Sequence, residues 1–361
     1  MTTIQHGRPR MRCRRTGPVI EWPRGFVALA KTAAIASSVP NMEKADRPMT
    51  RVEIAVVGVH VLDTHVLGIT SIPEGSQGQL VPTIKISPAG TAGGTAVVLS
   101  RLGAAVRSFG AIGTDAMGDA LLAMLCREGV DVGGLVRTTA TQTSASVIPV
   151  RSNGDRPAWH CVGANAMLRL EDLNLDEVIR SSHLHLGGPE FLGGPAAGEL
   201  LQYAKSNGLS TSVDILAAGD PGLLQWIADV LPHTDYLLPN DEQVLGLTGA
   251  ADVLTGARCL LAAGAGCVAV TQGSKGAVVV SDAESVEVPA FAIDVVDTTG
   301  CGDAFSAGFI LGRALGRDLR EAARLGCATA AHVASGIGTD AGAYDFDVIE
   351  AFASGDHSAT A

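Results

Sequence analysis

From Val52 onward the chain repeats one unit, a short apolar run closed by glycine or a polar residue and then a longer helix-patterned segment. V-E-I-A-V-V-G at 52–58 reads as a first buried strand, A-V-V-L-S-R-L-G at 96–103 as a helix closed by Gly103, and V-R-S-F-G-A-I-G at 106–113 as the next strand. The alternation runs on through L-L-A-M-L-C-R-E-G, H-L-H-L-G-G, S-T-S-V-D-I, Y-L-L-P-N, C-V-A-V-T-Q-G and G-A-V-V-V, ending at Val280. Strands separated by helices are predicted to pair in parallel, in a sheet covered on both faces. Such sheets collect ligands at the C-terminal ends of their strands, and most polar motifs here follow apolar strand runs.

Two pieces break the pattern. Q-L-V-P-T-I-K-I at 79–86 and S-A-S-V-I-P-V at 144–150 alternate residue by residue, as a small half-exposed sheet apart from the core would, with a polar, Gly/Pro-bearing section from His65 to Ser87. The 361 residues, 47% hydrophobic, suit a globular protein of one large α/β domain or two ordinary ones. No apolar run approaches the roughly 18 residues of a membrane span. Seven scattered cysteines without C-x-x-C spacing point to reduced thiols in the cytoplasm rather than a disulfide framework.

Charge is unevenly placed. Residues 1–50 carry nine Lys/Arg against three Asp/Glu, leaving seventeen against thirty-four for residues 51–361. So acidic a body disfavours nucleic acid as a partner, and an anionic ligand would need local N–H clusters and a metal to hold it. The basic first fifty residues read as a disordered extension or a gene start placed too far upstream, since Met42 and Met49 both precede the first convincing strand. The folded part is therefore expected over residues 51–355.

The densest chemistry lies at D-T-T-G-C-G-D-A-F-S-A-G-F, from Asp297 to Phe309. Gly300 and Gly302 let backbone N–H groups approach an anion without a Cβ in the way, and the apolar run that follows reads as a buried helix. The N–H groups of residues 300–303 would then sit at a helix N-terminus, where geometry and dipole both favour an anion. On local pattern alone Asp303 serves equally as a helix cap or as a general base beside a bound phosphate.

This stretch resembles the C-terminal signature of the ribokinase-like (PfkB) carbohydrate kinases, D-T-x-G-A-G-D followed by a helix. The resemblance implies a ribokinase-like fold, a Rossmann-like three-layer α/β/α body with a small β-sheet lid at about 63–92 and 140–162. It also implies an enzyme that uses ATP and Mg²⁺ to phosphorylate a hydroxyl of a sugar or sugar-like molecule. Asp303 would be the catalytic base, with Gly300, Cys301 and Gly302 completing the anion hole; Cys301 replaces the usual alanine or serine.

The likeness extends over roughly residues 52–350. A-G-T-A-G-G-T-A at 89–96 resembles the N-terminal signature, which implies substrate contacts at Gly90 and Gly94, although Gly94 stands where the family usually has asparagine. Asp63 matches the aspartate that hydrogen-bonds substrate hydroxyls, and Asn165 lies in G-A-N-A near the lid. P-N-D-E-Q resembles the P-N-x-x-E segment, which places Asn240 at the nucleotide and substitutes Gln243 for a glutamate that influences Mg²⁺ through water. V-T-Q-G-S-K-G resembles the nucleotide loop, with Thr271, Gly273 and Gly276 beside ATP and Cys327 facing it from further along. Read alone, the same stretch is a hairpin turn. Asp297, Thr299 and Gly338 fall where several relatives bind a monovalent cation such as K⁺, and relatives often dimerise through the lid.

Ribokinases proper carry a lysine in the stretch matching Thr91 and a glutamate near 187–190, and neither is in register here. A hexose or related sugar is therefore the first expectation and a nucleoside such as adenosine the second. A non-catalytic sugar- or nucleotide-binding homologue is a third, because Gly94 and Gln243 replace polar family positions. His183 and His185 alternate on a strand and are expected in the core or on a sheet face rather than on a metal.

Overall fold

The computed structural model describes residues 52–151, 156–216 and 221–355, so the expectation for the first fifty residues lies outside it. The strands are β1 (Glu53–Gly58), β2 (Val61–Ile69), β3 (Thr83–Ala89), β4 (Ala105–Gly113), β5 (Asp131–Thr138), β6 (Ala145–Arg151) and β7 (Trp159–Cys161). They continue with β8 (His183–Gly187), β9 (Ser210–Asp214), β10 (Tyr236–Leu237), β11 (Cys267–Thr271), β12 (Ala277–Ser281) and β13 (Ser285–Val288).

A nine-stranded sheet has the order β13-β12-β11-β10-β9-β8-β1-β4-β5. From β11 to β5 every neighbour is parallel. The last two strands are not: β12 runs antiparallel to β11, and β13 to β12. The expectation of a parallel sheet fails there because only a single-turn helix, Gly273–Lys275, separates β11 from β12, too short a connection for a parallel crossover.

Alternate residues of β1 enter opposite layers. Ile54 and Val56 pack toward the helices Gly93–Arg101, Cys301–Ala314 and Leu319–Ala334, while Ala55 and Val57 pack toward Gly194–Ser206 and Val253–Ala262. Both faces of the sheet are thus buried, which makes the architecture three layers, α/β/α. His183 and His185 sit inside this core on serine partners, Ser210 and Ser212, and burial lowers their pKa values to about 3 and about 4.

A separate four-stranded sheet, β3-β2-β6-β7, forms the lid. Strand β2 extends through His65 to Ile69, farther than the sequence suggested, because Asp63 and His65 face inward and are buried rather than solvated. Asp63 pairs in register with Ser87 and Ser146, and Ser146 with His160, making one inward polar row. The next row outward, Ile86, Thr64, Val147 and Trp159, faces away, with Trp159 56% exposed.

Candidate active site

The turn into the helix Cys301–Ala314 is built by Asp297. Its Oδ1 accepts from the Thr299 N–H at 2.9 Å and hydroxyl at 2.8 Å, and its Oδ2 from the Gly338 N–H at 3.2 Å. Gly300 then takes a left-handed conformation, φ 80°, with Thr339 where a Cβ would project. The nine residues Ala304–Gly312 are buried and fix the helix, so its N-terminus is held rigidly. The Cys301 N–H reaches Thr298 O at 3.3 Å, while the N–H groups of Gly302 and Asp303 have no carbonyl partner among the described residues. Those two donors, with the helix dipole behind them, leave an N-terminus able to hold an anion.

Asp303 is half-buried at this N-terminus. Burial raises its pKa well above the usual carboxylate range, and the negative charges of Asp214 and Asp63 push it further. Its carboxylate lies where a Cβ on Gly94 would sit, so any side chain at 94 would meet it. An asparagine at 94, as in most of the family, would have to displace Asp303.

Asp214, at the C-terminal end of β9, was not singled out in the sequence. It is 7% exposed, and its pKa is pushed up to about 8 by burial and then by the charge of Glu190, against a hydrogen bond from Ser306. Thr91, named in the sequence only as standing where ribokinases carry a lysine, has a buried hydroxyl with no hydrogen-bond partner among the described residues. Asp214, Thr91, Asn240, Thr271, Gly300, Gly302 and Asp303 line a cavity of about 230 Å³. The available signal was position: a lone carboxylate at the end of a parallel strand, and a threonine in a strand-to-helix turn.

A larger cavity of about 530 Å³ adjoins it, since Thr271 and Gly302 line both. Gly273, Gly276, Cys301 and Cys327 belong to its wall, with apolar Phe291, Ile293 and Ala331. The 270–276 stretch is therefore a hairpin turn and a cavity wall at once. Burial pushes the Cys301 and Cys327 thiols up to about 12, so neither is a thiolate.

Asp63 and Gly90 line neither cavity. Asp63 stands on the inner face of the lid, close enough for its charge to act on Asp303, and burial raises its own pKa. Gly90, φ 89°, makes the tight turn against the Val59 carbonyl that leads into the helix Gly93–Arg101.

Two expected ligands are spent on the fold. Asn165 is 1% exposed; its oxygen accepts from the His60 N–H and its nitrogen donates to the His60 carbonyl, so it clamps backbone and does not face a substrate. Gln243 accepts from the Asn240 N–H and donates to the Ile215 carbonyl, both at 2.8 Å. This is a capping box joined to the end of β9, and a glutamate could not make the second bond. Gln243 is thus a structural tie, and it also lines the smaller cavity beside Asp214 and Asn240.

The triphosphate of a nucleotide fits the unpartnered N–H groups and the paired cavities. A free monovalent cation does not fit beside Asp297. His65 Nδ1 lies 3.4 Å from Asp297 Oδ2, Arg156 lies 3.9 Å from Oδ1, and Arg156 also donates to the Thr299 hydroxyl. The bonds from His65, Thr299 and Gly338 overcome the effect of burial and hold the Asp297 carboxyl below the usual range.

Residues 54–345 match the model of the pfkB family carbohydrate kinases. The chain belongs to that family. An uncharacterized sugar kinase of Archaeoglobus fulgidus is 31% identical over 234 residues, covering 63% of this chain and 90% of the relative. A deoxyribokinase of Salmonella typhi is 26% identical over 293 residues, 80% of this chain and 94% of that one. The structure of Arabidopsis thaliana ribokinase complexed with ribose and ATP superposes with a TM-score of 0.73 at 21% identity, over 84% of this chain and 99% of that one, a likeness of fold. By that family the chain is a carbohydrate kinase, and it has the ribokinase-like α/β/α fold. Among its described residues no single helix is long and apolar enough to cross a membrane.

Proposed function

We propose that residues 51–355 form one kinase domain, with its lid at about 63–92 and 140–162, that transfers the γ-phosphoryl group of ATP to a sugar hydroxyl with Asp303 as general base. The observation that carries this is Asp303 itself. A carboxyl whose pKa is raised well above the usual carboxylate range stands in the same helical turn as two N–H donors that have no carbonyl partner among the described residues, where two cavities meet.

The larger cavity suits the nucleotide, its apolar wall taking the base and its Thr271–Gly302 edge leading the phosphates to the helix N-terminus. The N–H groups of Gly302 and Asp303 hold the γ-phosphate and oppose the charge that develops on it. Asp303 accepts the proton of the substrate hydroxyl as its oxygen bonds to phosphorus and the bridging P–O bond to ADP breaks. Mg²⁺ bound with the nucleotide would neutralise charge at the phosphate oxygens, and Asp214 and Asn240, which line this cavity, would hold its water shell. Asp63 in the lid and the unpartnered Thr91 hydroxyl orient the sugar. Lid closure over the cleft keeps water from taking the phosphoryl group.

A hexose or related sugar is the favoured substrate, since the lysine and glutamate that mark ribokinases proper are out of register here; Gly187 and Gly188 are packed closely against Thr91 and Val59 and open no extra room. The outward lid row of Ile86, Val147 and Trp159 supports a homodimer formed through this sheet, and Trp159→Glu then yields monomers in sedimentation. The direct test is ADP release by the full chain with Mg-ATP and a panel of pentoses, hexoses, deoxy-keto acids and nucleosides. Stimulation by one sugar class is expected. Saturable sugar binding with no ADP formed would replace the kinase with a binding protein, and stimulation only by nucleosides would move the substrate class.

A further inference from the structure

The second loop of the position where relatives hold a monovalent cation, residues 336–340, already contains a cation. Lys85, on the inward face of lid strand β3, places its Nζ 2.6 Å from the Ile337 carbonyl and 2.7 Å from Asp340 Oδ1. Its neighbours in sequence, Ile84 and Ile86, point outward and are 64% and 45% exposed, so the charge is on the side of the sheet opposite to solvent. The same loop gives the Gly338 N–H to Asp297, which in turn holds the Thr299 N–H at the entrance to the anion hole. His65, paired in register with Lys85, faces Asp297 and bonds Ser87. Oxygens that would have to ligate a free ion are engaged by an ammonium, and a second cation beside it would be repelled.

We propose that the Lys85 ammonium is a tethered replacement for the monovalent cation, bracing the 336–340 loop against the anion hole so that phosphoryl transfer needs no free K⁺. This rests on the kinase reading above. Lys85 acts as a positioning residue, through Ile337, Gly338 and Asp297, and touches neither nucleotide nor sugar. It also joins lid strand β3 to the 336–340 loop by a charged contact.

The test compares KCl with choline chloride at equal ionic strength, on full-length wild type, Lys85→Met and Lys85→Arg, reading both kcat and the melting temperature of the nucleotide-free protein. Wild type should turn over equally in the two salts and melt at the same temperature. Lys85→Met should lose about tenfold in kcat in choline, the loss of a charged hydrogen-bond donor, and regain most of it as K⁺ rises. Its melting temperature should rise with K⁺ as well, while Lys85→Arg should stay independent of K⁺. Several-fold activation of wild type by K⁺ would overturn the proposal. So would a Lys85→Met enzyme at full rate in choline, or one whose loss K⁺ does not repair. If no protein turns over any sugar, the kinase reading fails, and the K⁺ dependence of melting still decides what Lys85 replaces.

Discussion

Asp214→Asn should stabilise the protein, and by an amount that depends on pH. The Asp214 carboxyl rises from its ordinary 3.8 to about 8 on folding, through burial first and the charge of Glu190 second. A carboxyl with a raised folded pKa binds its proton more tightly when folded. Its stability cost is therefore absent below pH 3.8, grows as pH rises, and is complete above about pH 8. At about 1.4 kcal/mol per pH unit, that cost is about 4 kcal/mol at pH 7 and about 2 kcal/mol at pH 5. Asparagine removes it and keeps an oxygen for the Ser306 hydroxyl, giving back about 1 kcal/mol for imperfect geometry. The variant should thus be more stable than wild type by about 3 kcal/mol near neutrality and about 1 kcal/mol at pH 5. Urea unfolding of the nucleotide-free proteins at the two pH values measures the difference. Equal gains at both, or a loss at pH 7, would refute the assignment of a buried, protonated carboxyl.

Two further outcomes follow from the site. Gly94→Ala puts a methyl group where the Asp303 carboxylate lies, so it should cut kcat by about a hundredfold through a displaced base, with nucleotide affinity by titration nearly unchanged. The Cys301 thiol, raised to about 12 by burial yet half-exposed in the nucleotide wall, should react slowly with iodoacetamide at pH 7. Mass spectrometry should show its labelling rate climbing steadily to pH 10, with protection by ATP; fast labelling at neutral pH would contradict that environment.

The body of the fold was legible because its signals are local. Gly103 closing its helix, the apolar strand runs and the glycine turn before Asp303 each follow from the conformational limits of a few neighbouring residues. What escaped depends on distant parts of the chain. Asp214 looks like any strand-end aspartate until β9 is seen beside β8, with the Cys301–Ala314 helix bringing Ser306 and Asp303 against it. Asn165 and Gln243 carry amides that suit ligands, but backbone groups more than twenty residues away, at His60 and Ile215, claim them first. The alternation at 79–86 was legible, but that Lys85 faces inward with isoleucines outward came only from its contacts with the 336–340 loop. The antiparallel end of the sheet turned on one short connection.

The central claim is that Asp303 takes the proton, and Asp303→Asn measures it most directly. Asparagine has the same shape and cannot accept a proton as a carboxylate does, so sugar-dependent ADP release should fall by about a hundredfold to ten-thousandfold in kcat. The melting temperature and the Kd for ATP should stay close to wild type. A variant that folds, binds ATP and turns over at near the wild-type rate would contradict the account.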